Sequence, residues 1–425
     1  MKSFAASINQ AKKEAYLKPA LIWLFLSLIL AGCSGIEWAP HAYAMSTPYE
    51  TATPLAVEAL PTSTSTPTTV VFEMKPTSTP LPTATLPPAE LNIGFGPQDF
   101  PVGIDPLTGQ PVGDPGLLNR RAMAIKVTNF PRSVRPQWGL SQADNVYEYY
   151  LENLITRFIG VFYGKDASRV GPVRSGRFFD EHIVRMYKSI FVFAYADDRV
   201  IDPWMESDLK NFLVIERGDN CPPLCRIGSK YNYNTLYANT QQLSQYITER
   251  GTNNDPQDLT GLRFEQNTPL VKLPGNRVGV YYSFVSYNHW DYDSSIGRYR
   301  RFQEADDDKG QESYKPLDDS LTGEQITADN VVVLLIPHEY YIHTKTTEMV
   351  KMNFMGEGKA YAFRDGFMYP IQWRRDTQES LLSLEYPGGA PYPLKPGNTW
   401  FQVVGESSQV AQLSGDTWRF EFHIP

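Results

Sequence analysis

Cysteine, histidine and surplus positive charge are all scarce in this sequence. Of 425 residues, three are Cys and six are His, and 47 acidic residues outnumber 39 basic ones for a net charge of −8. A protein that grips nucleic acid along its phosphates needs a basic surface, so no nucleic-acid partner is expected. Metal ligands are equally thin. His338 and His343 flank Glu339, but their spacing is five rather than the four of the zinc pattern His-Glu-x-x-His, and on a strand the two would face opposite sides. Asp306-Asp307-Asp308 lacks the spacing of a calcium loop and reads as a solvated loop. No Gly-x-Ser-x-Gly, P-loop or dinucleotide glycine motif occurs. Neither a metal nor a cofactor is therefore expected.

A membrane-spanning run is missing as well. Ala20 to Ala31 is apolar over only 12 residues, short of the roughly 20 needed to span a bilayer but right for a signal peptide. Lys2, Lys12, Lys13 and Lys18 precede it, and Leu30-Ala31-Gly32-Cys33 follows. Small residues before a cysteine suit cleavage and lipidation, so residues 1–33 read as a lipoprotein signal peptide ending in a lipidated Cys33. The membrane, reached through that lipid, is the first expected partner, and the expected place is the outer face of the cytoplasmic membrane. Residues 34–90 read as a disordered stalk. Between Ser46 and Pro88, 9 of 43 residues are Pro and 16 are Ser or Thr, too little apolar surface to offset the entropy of ordering. Outside the membrane a disulfide can persist. Cys221 and Cys225 read first as a bridged pair, and otherwise as two free thiols.

The remainder predicts two domains of an α+β protein. Residues 91–262 read as an α/β domain. Its strands fall at Arg121–Val127, Asn145–Leu151 and Ile155–Tyr163, the last two forming a hairpin, with another at Ile190–Tyr195. Arg177–Ser189 and Tyr237–Arg250 suit helices. Residues 270–425 read as a mostly antiparallel β domain. Runs such as Arg277–Val285, Tyr299–Phe302, Val331–Ile342, Lys359–Phe363, Phe367–Trp373 and Thr399–Val404 alternate there with Gly- and Pro-rich turns.

Several motifs carry a resemblance. Pro106-Leu107-Thr108-Gly109, Arg135-Pro136-Gln137, Gly139 to Asp144, Val146-Tyr147-Glu148, Ile155-Thr156-Arg157-Phe158 and Gly171-Pro172-Val173-Arg174-Ser175 with Arg177 lie in one order. They resemble the YerB-like lipoproteins, a family of unknown function (domain of unknown function 3048) with N-terminal and C-terminal domains. Asn234 to Tyr237 and Gly358-Lys359-Ala360 through Thr399-Trp400 extend the likeness. The resemblance implies a two-domain envelope lipoprotein and no established activity. Relatives often carry Gly-Gly where Asn153-Leu154 stands, and a glycine-rich stretch near Phe193 to Asp197.

Two sets of side chains carry candidate chemistry. Arg174, Ser175, Gly176 and Arg177, with Arg169 nearby and Arg157 on the preceding strand, lie just before a predicted helix. A helix N-terminus and forked guanidinium groups suit an anion. The same arginines could instead pair with Asp144, Glu148 or Asp180. The second set is Asp144, Glu148 and Glu152, which share one face of a strand. Alternate residues on a strand lie far enough apart for acid and base work on a glycan, and ordinary ion pairing fits equally. Three readings follow. One is a binding module for an anionic envelope ligand, a phosphate-bearing glycopolymer or lipid-linked precursor, through Arg157, Arg174, Ser175, Gly176 and Arg177. Another is an envelope glycan or phosphodiester enzyme using Asp144 or Glu148. The last is a scaffold for an envelope protein partner.

Overall fold

Alternating and continuous apolar runs build most of the molecule from strands. The computed structural model describes residues 94–425 apart from Asp219, Lys230 and residues 306–310. The leader, Cys33, the stalk and the triple-aspartate loop lie outside the described residues. Eleven strands form the principal sheet: β1 (Met123–Thr128), β2 (Asn145–Glu152), β3 (Ile155–Phe162), β4 (Ile190–Phe193), β5 (Leu213–Ile215), β6 (Leu273–Pro274), β7 (Asn330–Ile336), β8 (Gly356–Arg364), β9 (Phe367–Arg375), β10 (Ser383–Glu385) and β11 (Thr399–Gly405). Their order is β10-β9-β8-β7-β11-β2-β3-β1-β4-β5, with β6 on β9. Strands from both sides of residue 262 thus share one sheet. The junction is β11, which runs parallel to β2 on one side and to β7 on the other. Val331 to Ile336 are all buried, as befits a strand enclosed on both faces.

Three helices accompany the sheet: α1 (Phe178–Met186), α2 (Asp198–Glu206) and α3 (Thr240–Glu249). A second sheet of seven strands lies wholly in the C-terminal half. It includes Arg277–Tyr281, Tyr287–Asp293 and Arg298–Glu304; Thr417–Glu421 runs parallel to Arg277–Tyr281, and Gln409–Ser414 pairs beyond it as the edge. The C-terminal region is mostly β, and helices are few among the described residues.

The local chemistry explains the pieces. The β2–β3 hairpin turns on Asn153 and Leu154, both left-handed at φ 51° and 67°, the geometry of a two-residue turn that matches strand twist. The predicted strand Val331–Ile342 is two strands. Pro337 cannot donate to a ladder, so β7 stops at Ile336, and His338–His343 pairs with Glu348–Met352 in a separate ribbon. Between the two larger sheets, Trp290 and Trp400 sit 5.1 Å apart and Phe158 packs edge-on against Trp400.

A buried polar cluster lies among these rings. Arg301 and Glu148, both without solvent exposure, form an ion pair at 2.8 Å. Glu148 also accepts from Thr156, Asn129, Asn288 and Gln402. Arg135, from the Arg-Pro-Gln motif, pairs with Glu304 at 2.5 Å. These motif residues therefore fasten the first half of the chain to the second.

Candidate anion site

The loop of residues 170–176 is strapped across the ends of three strands. Arg174 donates its backbone N–H to Lys126 of β1 and accepts from Ala194 just beyond β4. Val173 bonds Leu236, and Gly176 bonds Tyr195. β1 and β4 are parallel, so Arg174 lies toward their carboxyl ends, where open α/β sheets place their ligands. Arg157 sits opposite Thr128, the last residue of β1. Arg177 is the residue that caps α1.

The three guanidinium groups meet different fates. Arg177 donates to Glu152 through both Nε (2.9 Å) and Nη2. Burial works against its charge, but the hydrogen bonds and charge of Glu152 outweigh it and hold the pKa above the ordinary value. Arg174 is half-buried and donates Nη1 to Asn234 Oδ1 at 3.3 Å. Arg157 is buried, at 6 % exposure, and donates Nη1 to the Ser175 carbonyl at 3.0 Å. Its Nε is buried with no partner, as is the Nε of Arg174. Burial, then the charges of Arg177 and Arg174, pull the Arg157 pKa down to about 9, which still leaves it cationic at neutral pH. Of the pairing alternative, with Asp144, Glu148 or Asp180 as partners, the described residues show instead a guanidinium–carboxylate pair between Arg177 and Glu152. Arg169 instead stacks over Trp138, 4.4 Å from the ring centre.

Beneath this loop lies Lys126, fully buried and 3.0 Å from Asp180. Tyr149 donates its hydroxyl to Asp180 and contacts the Lys126 ammonium. Burial lowers the Lys126 pKa to about 7, against the pull of Asp180. Asp180 also accepts the Arg177 backbone N–H at 2.8 Å, so the start of α1 is capped from within. At neutral pH a partly charged Lys126 together with Arg157, Arg174 and Arg177 faces Glu152 and Asp180, a surplus of between one and two positive charges. Lys126 was signalled in the sequence only as a lone cation inside an otherwise apolar strand. Asn234 carried no such signal.

The remaining candidates lie elsewhere. Asp144 is buried and accepts from the backbone of Tyr163 (2.5 Å) and Gly164 (3.0 Å). Its carboxyl is hydrogen-bonded to that of Asp105. Asp105 in turn caps the Pro106-Leu107-Thr108-Gly109 turn by accepting from Leu107 N (2.9 Å) and Thr108 Oγ1 (3.0 Å). Glu148 serves Arg301, as described. The acidic face of β2 thus serves three separate partners rather than one open centre. Cys221 and Cys225 are joined as a disulfide, next to the ribbon of Leu224–Arg226 and Leu236–Ala238. Asn234, the Arg174 partner, lies in the connection within that ribbon. Among the described residues no cluster of His, Cys, Asp and Glu is arranged to hold a metal ion.

The description "Protein of unknown function (DUF3048) N-terminal domain" matches residues 107–253, and that of the C-terminal domain matches residues 278–401. The chain belongs to the DUF3048 family. A relative from Bacillus subtilis (strain 168), named "Putative lipoprotein YerB", is 23 % identical over 325 residues, covering 73 % of this chain and 89 % of that protein. The crystal structure of YerB from Bacillus subtilis shares the fold at a TM-score of 0.57 and 24 % identity, covering 71 % of this chain and 96 % of that one. Both DUF3048 segments contribute strands to the principal sheet. No helix among the described residues is long and apolar enough to cross a membrane.

Proposed function

We propose that this DUF3048 protein is held at the outer face of the cytoplasmic membrane through lipid on Cys33. There it binds an anionic envelope ligand, a phosphate-bearing glycopolymer or a lipid-linked precursor, at Arg157, Arg174, Ser175, Gly176 and Arg177. The relative's name and the sequence of the leader support the anchor. One observation supports the site: Arg157 is a buried guanidinium whose hydrogen bond goes to a carbonyl, with two further arginines beside it and only one of these matched to a carboxylate. A buried charge without a counter-ion is costly, and a bound anion supplies what the protein leaves out. Forked donors also match phosphate geometry. The test is titration of the full chain in detergent with inorganic phosphate. Arg174→Ala should weaken binding about tenfold or more, the worth of one charge-assisted hydrogen bond, with a melting temperature close to the parent's. Equal affinity in both proteins removes the proposal.

A further inference from the structure

Directly beside the arginine loop is a cleft of about 460 Å³ between α1, α2 and the His338–His343 ribbon, within the size range of small-molecule sites. The two adjoin at two points, Phe178 and Trp204. Arg177 caps α1, and the next residue, Phe178, forms a wall of the cleft. On the other side Gly176 lies flat against Trp204, also a wall, so closely that a Cβ there would stand 3.0 Å from the indole. The Arg177 charge also reaches Asp197, which is paired with the cleft residue Arg199 at 2.7 Å.

The lining mixes rings with donors and acceptors. Tyr341 is 44 % exposed and meets Phe178 edge-on at 5.0 Å. Lys351 stands 4.1 Å from the centre of the Tyr341 ring. Glu339, Lys351 and Asn353 offer a carboxylate, an ammonium and an amide around that ring. His182, at the base, is fixed as a neutral ring. Burial first, then the Arg375 charge, lowers its pKa to about 4, while its nitrogens meet Met352 O and Arg375 Nη1 at 3.0 and 3.1 Å. A ligand of many hydroxyls needs both donors and acceptors near one apolar shelf, because each hydroxyl does both. A hydrocarbon tail would strand these polar groups. A planar base is less suited than a sugar, since Phe178 presents its edge to Tyr341 and the two rings make no parallel slot.

We infer that the cleft seats a sugar ring whose phosphate reaches the arginine loop, so that the unit recognised is a glycosyl phosphate; this rests on the anion reading above. The experiment titrates the full chain in detergent with inorganic phosphate, a hexose 1-phosphate and a nucleoside monophosphate, using the parent and Tyr341→Ala. Tyr341 is a half-exposed ribbon residue, so the variant is expected to fold. The hexose phosphate should bind at least tenfold tighter than inorganic phosphate, and Tyr341→Ala should erase that margin while leaving phosphate affinity unchanged. Phosphate binding with no margin for the sugar overturns this inference alone. Tighter binding of the nucleoside monophosphate than of the hexose phosphate overturns it in favour of a base-stacking site. Loss of every anion from the parent overturns the anion reading as well.

Discussion

Replacing Glu148 by Gln should unfold the protein several degrees early. Glu148 and Arg301 are both without solvent exposure, and Arg301 Nη1 is already buried without a hydrogen-bond partner. Everything around the carboxylate is a donor: the Thr156 hydroxyl, the amides of Asn129, Asn288 and Gln402, and the Arg301 guanidinium. Glutamine removes the charge and turns an NH₂ toward those donors. Breaking a buried pair by removing one partner costs about 3–5 kcal/mol. A unit of this size shifts by roughly 2 °C per kcal/mol, so the melting temperature should fall by about 5–10 °C. Differential scanning calorimetry or a thermal dye assay on the full chain reads this directly. Glu148→Gln combined with Arg301→Met removes both charges while keeping an acceptor for the surrounding amides and hydroxyl, and should recover part of the loss, because paired removal leaves no orphan ion. A Glu148→Gln protein that melts with the parent refutes the clamp. It would also return Glu148 to the pool of candidate acids and bases.

Other consequences can be measured on the same footing. Leu154 is left-handed at φ 67°, a conformation costing about 1–2 kcal/mol for an L-residue, so Leu154→Gly should stabilise the protein by up to about 1 kcal/mol after glycine's added chain entropy; a lower melting temperature counts against it. Burial, then the neighbouring Asp144 charge, raises the Asp105 pKa, and burial raises that of Asp144 to about 6. A raised carboxyl favours folding most below its unfolded pKa, near 4, and that contribution is lost as pH climbs through the folded value. Stability from this pair should therefore decline from about pH 4 through pH 6, where Asp144 titrates, and beyond it as Asp105 follows. Asp144→Asn should flatten the decline in chemical denaturation across that range, and an unchanged slope would assign it to other groups.

The parts that local sequence can encode were legible, and the parts that depend on distant partners were not. Period-two alternation and the break at residues 152–154 located the β2–β3 hairpin to within a residue. The partial apolar stripe of Phe178, Ile183, Met186 and Tyr187 located α1. By contrast α2 reads Asp-Arg-Val-Ile-Asp-Pro-Trp-Met-Glu, with only Val200 and Trp204 buried and a proline inside, and too little periodicity survives to announce a helix. Tyr287–Asp293 went unread because Asn288, His289 and Asp291 interrupt its apolar pattern; Asn288 is buried against Glu148 and Gln402 of the principal sheet, and His289 against Phe302 and Tyr314 of its own. In the candidate site the arginines were visible as a cluster. Which of them finds a carboxylate was not, because Glu152 meets Arg177 across 25 residues and only the hairpin's twist decides that distance.

The position of β11 bears on when the chain can fold. Residues 399–405 form a central rail between β2 and β7, yet they follow β2 by about 250 residues in the chain. Until they arrive, β2 and β7 each lack their neighbour, with a row of amides and carbonyls open to any passing edge. A nascent chain of this kind carries long unfinished borders until this late strand is in place.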